Sequence, residues 1–243
     1  MRKNYIFLAL VMLTGIAMLL ADFLLLVYFG NLQASVNIKF AIPALVFFVL
    51  YTIVLGRSAF YFSPGFFTNI PKDVYYSRLK KIGATPILLI GFNVIIHLVF
   101  LGFIYLRNDY LDIEPAMKTP LFLASFAFGM LVGTFIYVIS DGLVSSCMLD
   151  KHLTFFPKEL RENRQALKSM IIPVAVAVLS VLFGSSVVML SIFRIGGDIN
   201  EMHGSSWLVF LIPTAIFIVF VIVLAMRLKK NTSRLYTSII LQM

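Results

Sequence analysis

Charge is what this chain of 243 residues has least of: 13% of its residues are Asp, Glu, Lys or Arg, while 60% are hydrophobic. Soluble domains carry roughly a quarter charged residues, and no soluble fold hides this much apolar surface, so the water-soluble classes are excluded. Cysteine is also scarce. Cys147 stands alone, which rules out a disulfide within the chain and any cysteine cluster for a metal. His152 and His203 fall in opposite loops and His97 in an apolar stretch, whereas a haem held inside a bundle needs paired histidines. No metal or cofactor is therefore expected.

Catalytic signatures are missing too. There is no His-Glu-x-x-His, no Gly-x-Ser-x-Gly, no glycine-rich phosphate loop and no close carboxylate pair within one apolar stretch. Ser140-Asp141 and Ser145-Ser146 lack a histidine on a neighbouring turn, so these residues are not expected to form an enzyme. The net charge of +9 comes without basic runs interleaved with aromatics outside the apolar stretches. Nucleic acid is not an expected partner, and the charge is read instead as topological bias.

What is present is apolar length. Six stretches, about 5–29, 40–62, 84–106, 120–148, 170–193 and 206–226, each suffice to cross about 30 Å of hydrocarbon. The expected fold is all-α and polytopic: six transmembrane helices in a bundle over 1–226, short cytosolic amphipathic helices between some of them, and a helical cytosolic linker over 227–243. Met1-Arg2-Lys3 before an apolar run has the form of a signal peptide. The run continues past Ala21-Asp22 to Phe29, which favours an uncleaved first span.

All but four of the 20 Lys and Arg residues fall in the N-terminus, the loops 57–83 and 149–169, or the tail; the exceptions are Lys39, Arg107, Lys118 and Arg194. This asymmetry places both termini in the cytosol of a bacterial inner membrane. The outer loops are short, with no room for an extracytoplasmic domain. The two cytosolic loops echo each other, Pro71-Lys-Asp-Val-Tyr-Tyr-Ser-Arg78 against Pro157-Lys-Glu-Leu-Arg-Glu-Asn-Arg164, and proline followed by an acid predicts a short helix running into the third and fifth spans. Pro43, Pro120 and Pro213, near the outer ends of the even spans, are expected at helix starts.

Polar groups inside hydrocarbon are costly enough to mark candidate sites. Asn93 and His97 lie four apart on one face of the third span, and Asp22, ~26 Å up the first span, is within reach of them. These three form the candidate ligand pocket. Asp22, and Asp141 at ~31 Å down the fourth span, also suit snorkelling to the nearer interface. Gly129-x-x-x-Gly133 and Ser180-x-x-x-Gly184 have the spacing that lets helices approach closely.

Beyond Met226, Leu228, Thr232, Leu235, Ile239 and Gln242 recur at coiled-coil spacing, on a segment with no Gly or Pro to break it from the sixth span. Lys229, Lys230 and Arg234 equally suit an anchor on anionic lipid. Arg227-Leu-Lys-Lys-Asn-Thr-Ser-Arg234-Leu-Tyr-Thr-Ser-Ile-Ile resembles the opening of a HAMP linker. The six-span layout, with Phe155-Phe-Pro-Lys-Glu-Leu-Arg-Glu-Asn-Arg-Gln-Ala-Leu-Lys168, resembles the membrane regions of spirochaete-type methyl-accepting chemotaxis receptors and six-span adenylate cyclases. The resemblance implies a signal-input domain, working as a homodimer with a cytosolic signalling module, in which Arg227, Lys230, Arg234, Leu235 and Ile239 relay movement of the sixth span. Output chemistry is then expected beyond Met243. A substrate-binding or permease subunit of a small-molecule transporter is the alternative.

Overall fold

The computed structural model describes residues 2–30, 35–62, 71–106, 115–150 and 171–194, together with 215, 218–219, 221–226 and 229. Among these every regular element is helical. The long helices are α1 (Arg2–Gly30), α2 (Ser35–Gly56), α3 (Lys72–Leu106), α4 (Pro115–Asp150) and α5 (Ile172–Arg194), and a short 3-10 helix, Arg57–Phe62, extends α2. All five long helices are long and apolar enough to cross a membrane. The chain is a multi-pass membrane protein whose described part accounts for five of the six expected crossings. The sixth stretch, 206–226, lies mostly outside the described residues. Its end, 221–226, is helical, and Leu224 is buried with Tyr137, Val138 and Ile172.

Helices α1 to α4 begin earlier than the apolar runs. α3 starts at Lys72 and reaches Leu106 without a break over 35 residues, so the 71–78 segment is continuous with the third span; its counterpart at 157–168 lies outside the described residues. Apolarity marks where the chain meets hydrocarbon, whereas a helix continues into the headgroups as long as its residues allow. For the same reason Pro43 and Pro120 sit inside α2 and α4 rather than at their starts. The proline that opens α4 is Pro115, at the first turn where a missing N–H costs nothing. Pro213 lies outside the described residues.

α4 is the centre of the bundle. Of the most apolar stretch of α4, 61% is buried, against 22% for α2, and α1, α3 and α5 all pack on α4. Its sequence explains this: Ala124, Ser125, Ala127, Gly129, Gly133, Thr134 and Ser140 are small, and small residues let other backbones come close. Leu121, Leu131, Val132 and Ile136 fill the rest of the core with Phe7, Met18 and Leu26 of α1, Phe47 and Leu55 of α2, Leu89 and Leu101 of α3, and Val187 and Leu190 of α5. The outward faces are equally apolar. Leu13, Ile16, Leu20 and Leu24 on α1, and Ile42, Leu45, Val49 and Ile53 on α2, are exposed at helical spacing. A helix apolar all round has lipid on one side and protein on the other, and the described surface is one that contacts a bilayer.

Candidate functional site

Hydrocarbon offers no water to a polar side chain, so each must find its partner within the protein. Most hydroxyls do so on their own helix: Ser140 donates to the Tyr137 carbonyl at 2.9 Å, Ser186 to Leu182 at 2.7 Å and Ser191 to Val187 at 2.8 Å. Several buried polar groups that reach beyond their own helix gather where α1, α3 and α4 meet.

There α3 crosses to α4 through side chains that reach backbone carbonyls. Asn93 Nδ2 donates to the Gly129 carbonyl at 3.1 Å, and one turn along, His97 Nε2 lies 3.2 Å from the Ser125 carbonyl. Four residues forward on α3 match four residues back on α4, as an antiparallel pair demands. The approach depends on glycine: a Cβ at Gly129 would fall on the His97 ring, and one at Gly133 would stand 2.7 Å from Asn93 Nδ2. Phe47 of α2 closes the site edge-on to the His97 ring, with centroids 6.1 Å apart.

A carbonyl oxygen only accepts, so the bond to Ser125 assigns the hydrogen to His97 Nε2. Nδ1 then faces Asp22 of α1, whose Oδ2 is 4.0 Å away. That is beyond hydrogen-bond range but within charge range. Asp22 is 2% exposed, and neither of its oxygens, nor His97 Nδ1, nor Asn93 Oδ1, has a hydrogen-bond partner among the described residues. The pair is neutral when one proton is held by either Asp22 or His97 Nδ1, and a bare charge buried among apolar helices is costly.

The structure thus brings together Asp22, Asn93 and His97, with Gly129 and Gly133 as their seat. Asp22 points inward rather than snorkelling to the interface, and Asp141 is likewise fully buried, its carbonyl accepting from Ser145 Oγ at 2.8 Å. Ser180 and Gly184 are placed differently. Ser180 donates to Val176 on its own helix at 2.6 Å, and nothing described lies within 4 Å of a Cβ at Gly184. Arg227, Lys230, Arg234, Leu235 and Ile239 lie outside the described residues.

Sequence reasoning passed over Ser125, whose hydroxyl is 3.3 Å from Tyr105 OH, and a second glycine seat between α1 and α2. There a Cβ at Gly15 would stand 2.8 Å from the Tyr51 ring, while Thr14 Oγ1 is 3.3 Å from Tyr51 OH. The available signals were the four-residue steps Ser125, Gly129, Gly133 and the adjacency of Thr14 to Gly15.

These features define a multi-pass helical membrane protein with a sequestered polar seam. Residues 142–238 are similar to a family described as Putative Actinobacterial Holin-X, holin superfamily III. The similar region takes in the end of α4, all of α5, the sixth apolar stretch and the start of the tail, which is less than half of the chain, and it leaves Asp22, Asn93 and His97 outside. Comparison with curated proteins and with solved structures gives no match. The holin similarity overturns two expectations: it points neither to a chemotaxis-type or cyclase-type signal-input domain nor to a subunit of a small-molecule transporter. Both were drawn from the layout of spans and a basic tail, which any multi-pass protein obeying the positive-inside bias shares.

Proposed function

We propose that this chain is a holin-like protein of a bacterial cytoplasmic membrane, acting on the bilayer itself: copies associate laterally and open a path through it. The observation that carries the reading is the similarity of residues 142–238 to the holin superfamily III family. Two features are consistent with it. The exposed faces of α1 and α2 are apolar at helical spacing, which suits contact with lipid or with other copies. The polar groups of the seam are buried within the described bundle, so on this reading permeability calls for rearrangement or assembly. The charge bias supports six crossings with both termini in the cytosol. The chain needs no catalytic chemistry for this role.

The test is regulated expression in a bacterium carrying a potential-sensitive dye, with insertion followed by membrane fractionation. The expected result is collapse of the membrane potential and release of small cytosolic solutes once the inserted protein passes a threshold. Full insertion at the same level with the potential intact overturns the proposal.

A further inference from the structure

We propose that the Lys72 end of α3 carries a binding site for an anionic phospholipid, independent of the holin reading. A shallow, open groove of about 440 Å³ there is lined by Ser77, Lys80, Lys81, Ala84 and Leu88, all exposed except the half-buried Ala84. The lining residues follow one another at steps of three, one, three and four, so they share one face of the helix.

Depth selects the ligand. Counting back from Leu106, about 20 residues at 1.5 Å each cross the hydrocarbon, which puts its edge near Pro86. Leu88 then lies inside the acyl region, Ala84 at its edge, and Lys80 and Lys81 about 8 to 9 Å outside it, at the level of lipid phosphates. Along the groove the lining passes from a hydroxyl and two ammonium groups to two apolar side chains. A phospholipid passes from phosphate to acyl chain in the same direction. Among the described residues neither Lys80 nor Lys81 has a carboxylate partner, so their charge is available to the phosphate. A soluble phosphate would use the lysines and leave the apolar end unfilled; a zwitterionic lipid would fill that end but bring a cation against the lysines.

The site is tested by photolabelling the purified full chain in phosphatidylcholine nanodiscs, doped with a photoactivatable phosphatidylglycerol or, in a parallel sample, its phosphatidylcholine analogue. Labelling of the 77–88 segment by the glycerol lipid is expected to exceed that by the choline lipid by about fivefold or more, given the contribution of each basic residue near an anionic headgroup. The variant Lys80→Gln with Lys81→Gln is expected to fall to the choline level, and Lys80→Arg with Lys81→Arg to keep the preference. Equal labelling by the two lipids overturns the proposal, as does labelling untouched by the glutamines. Competition by millimolar glycerol phosphate as complete as by unlabelled phosphatidylglycerol also overturns it, since the site would then be one for soluble phosphate. If the glutamine variant does not fold, the lipid preference and the competition on the unmodified chain still decide.

Discussion

α4 meets α3 on one side and α5 on the other, and the two contacts are built differently. Against α3, glycines at 129 and 133 seat His97 and Asn93, whose nitrogens reach across to carbonyls of α4. Against α5 the contact is apolar, through Phe183, Val187 and Leu190, with the Phe128 and Phe183 rings 6.4 Å apart. Here the serines of α5 bond back to their own helix, and Gly184 seats nothing that is described. The same spacing of small residues, in Gly129-x-x-x-Gly133 and Ser180-x-x-x-Gly184, has two outcomes. Small residues permit close approach, and both pairs of helices achieve it, but only at Gly129 and Gly133 does a polar side chain of the facing helix rest against the glycine.

Substitutions that separate the two contacts put this to the test. Gly129→Leu has no room beside His97 and is expected to cost about 3 kcal/mol or more, measured as unfolding by sodium dodecyl sulfate in mixed micelles, whereas Gly184→Leu is expected to cost under about 0.5 kcal/mol. Equal losses would erase the distinction. His97→Ala is expected to cost about 2 to 4 kcal/mol, since it opens a cavity and removes the ring nitrogen that faces Asp22. Adding Asp22→Leu to that variant should recover part of the loss, and a simple sum of the two single effects would show that the residues are not coupled. Asn93→Ala removes one bond between helices and is expected to cost about 0.6 to 1.7 kcal/mol, because the chain unfolded within the membrane also finds partners for its amide. The smallest loss is expected for Gly184→Ala, which should be neutral or slightly stabilising through helix propensity; a clear loss there would reveal a neighbour packed on α5.

Much of this arrangement is legible in the residues. The long apolar runs mark the crossings, and the four-residue steps of Asn93 to His97 and of Gly129 to Gly133 mark two faces that meet. Other features leave no such trace. Whether Asp22 turns to the interface or to His97 depends on the rotation of α1 in the bundle, and a helix apolar on every side gives no amphipathic pattern from which to read that rotation. Ser125 contributes its carbonyl, which every residue possesses, so its four-residue step from Gly129 marks a shared face but not the bond it accepts. The starts of α2, α3 and α4 lie beyond the apolar runs because helical bonding does not stop at the hydrocarbon edge. Function was misread from the basic tail, a feature set by membrane topology and shared by proteins of unrelated activity.

The most direct test of the seam is the state of the His97 ring. A chain with ¹⁵N-labelled histidine, carrying His152→Gln and His203→Gln so that only His97 reports, can be studied in lipid bilayers by solid-state nuclear magnetic resonance. The expected spectrum has a hydrogen on Nε2 and through-space contacts from the ring to the Ser125 carbonyl carbon and to Gly129 Cα. A bare Nε2 with the hydrogen on Nδ1, or a ring that touches neither residue, would contradict the fastening of α3 to α4 described above.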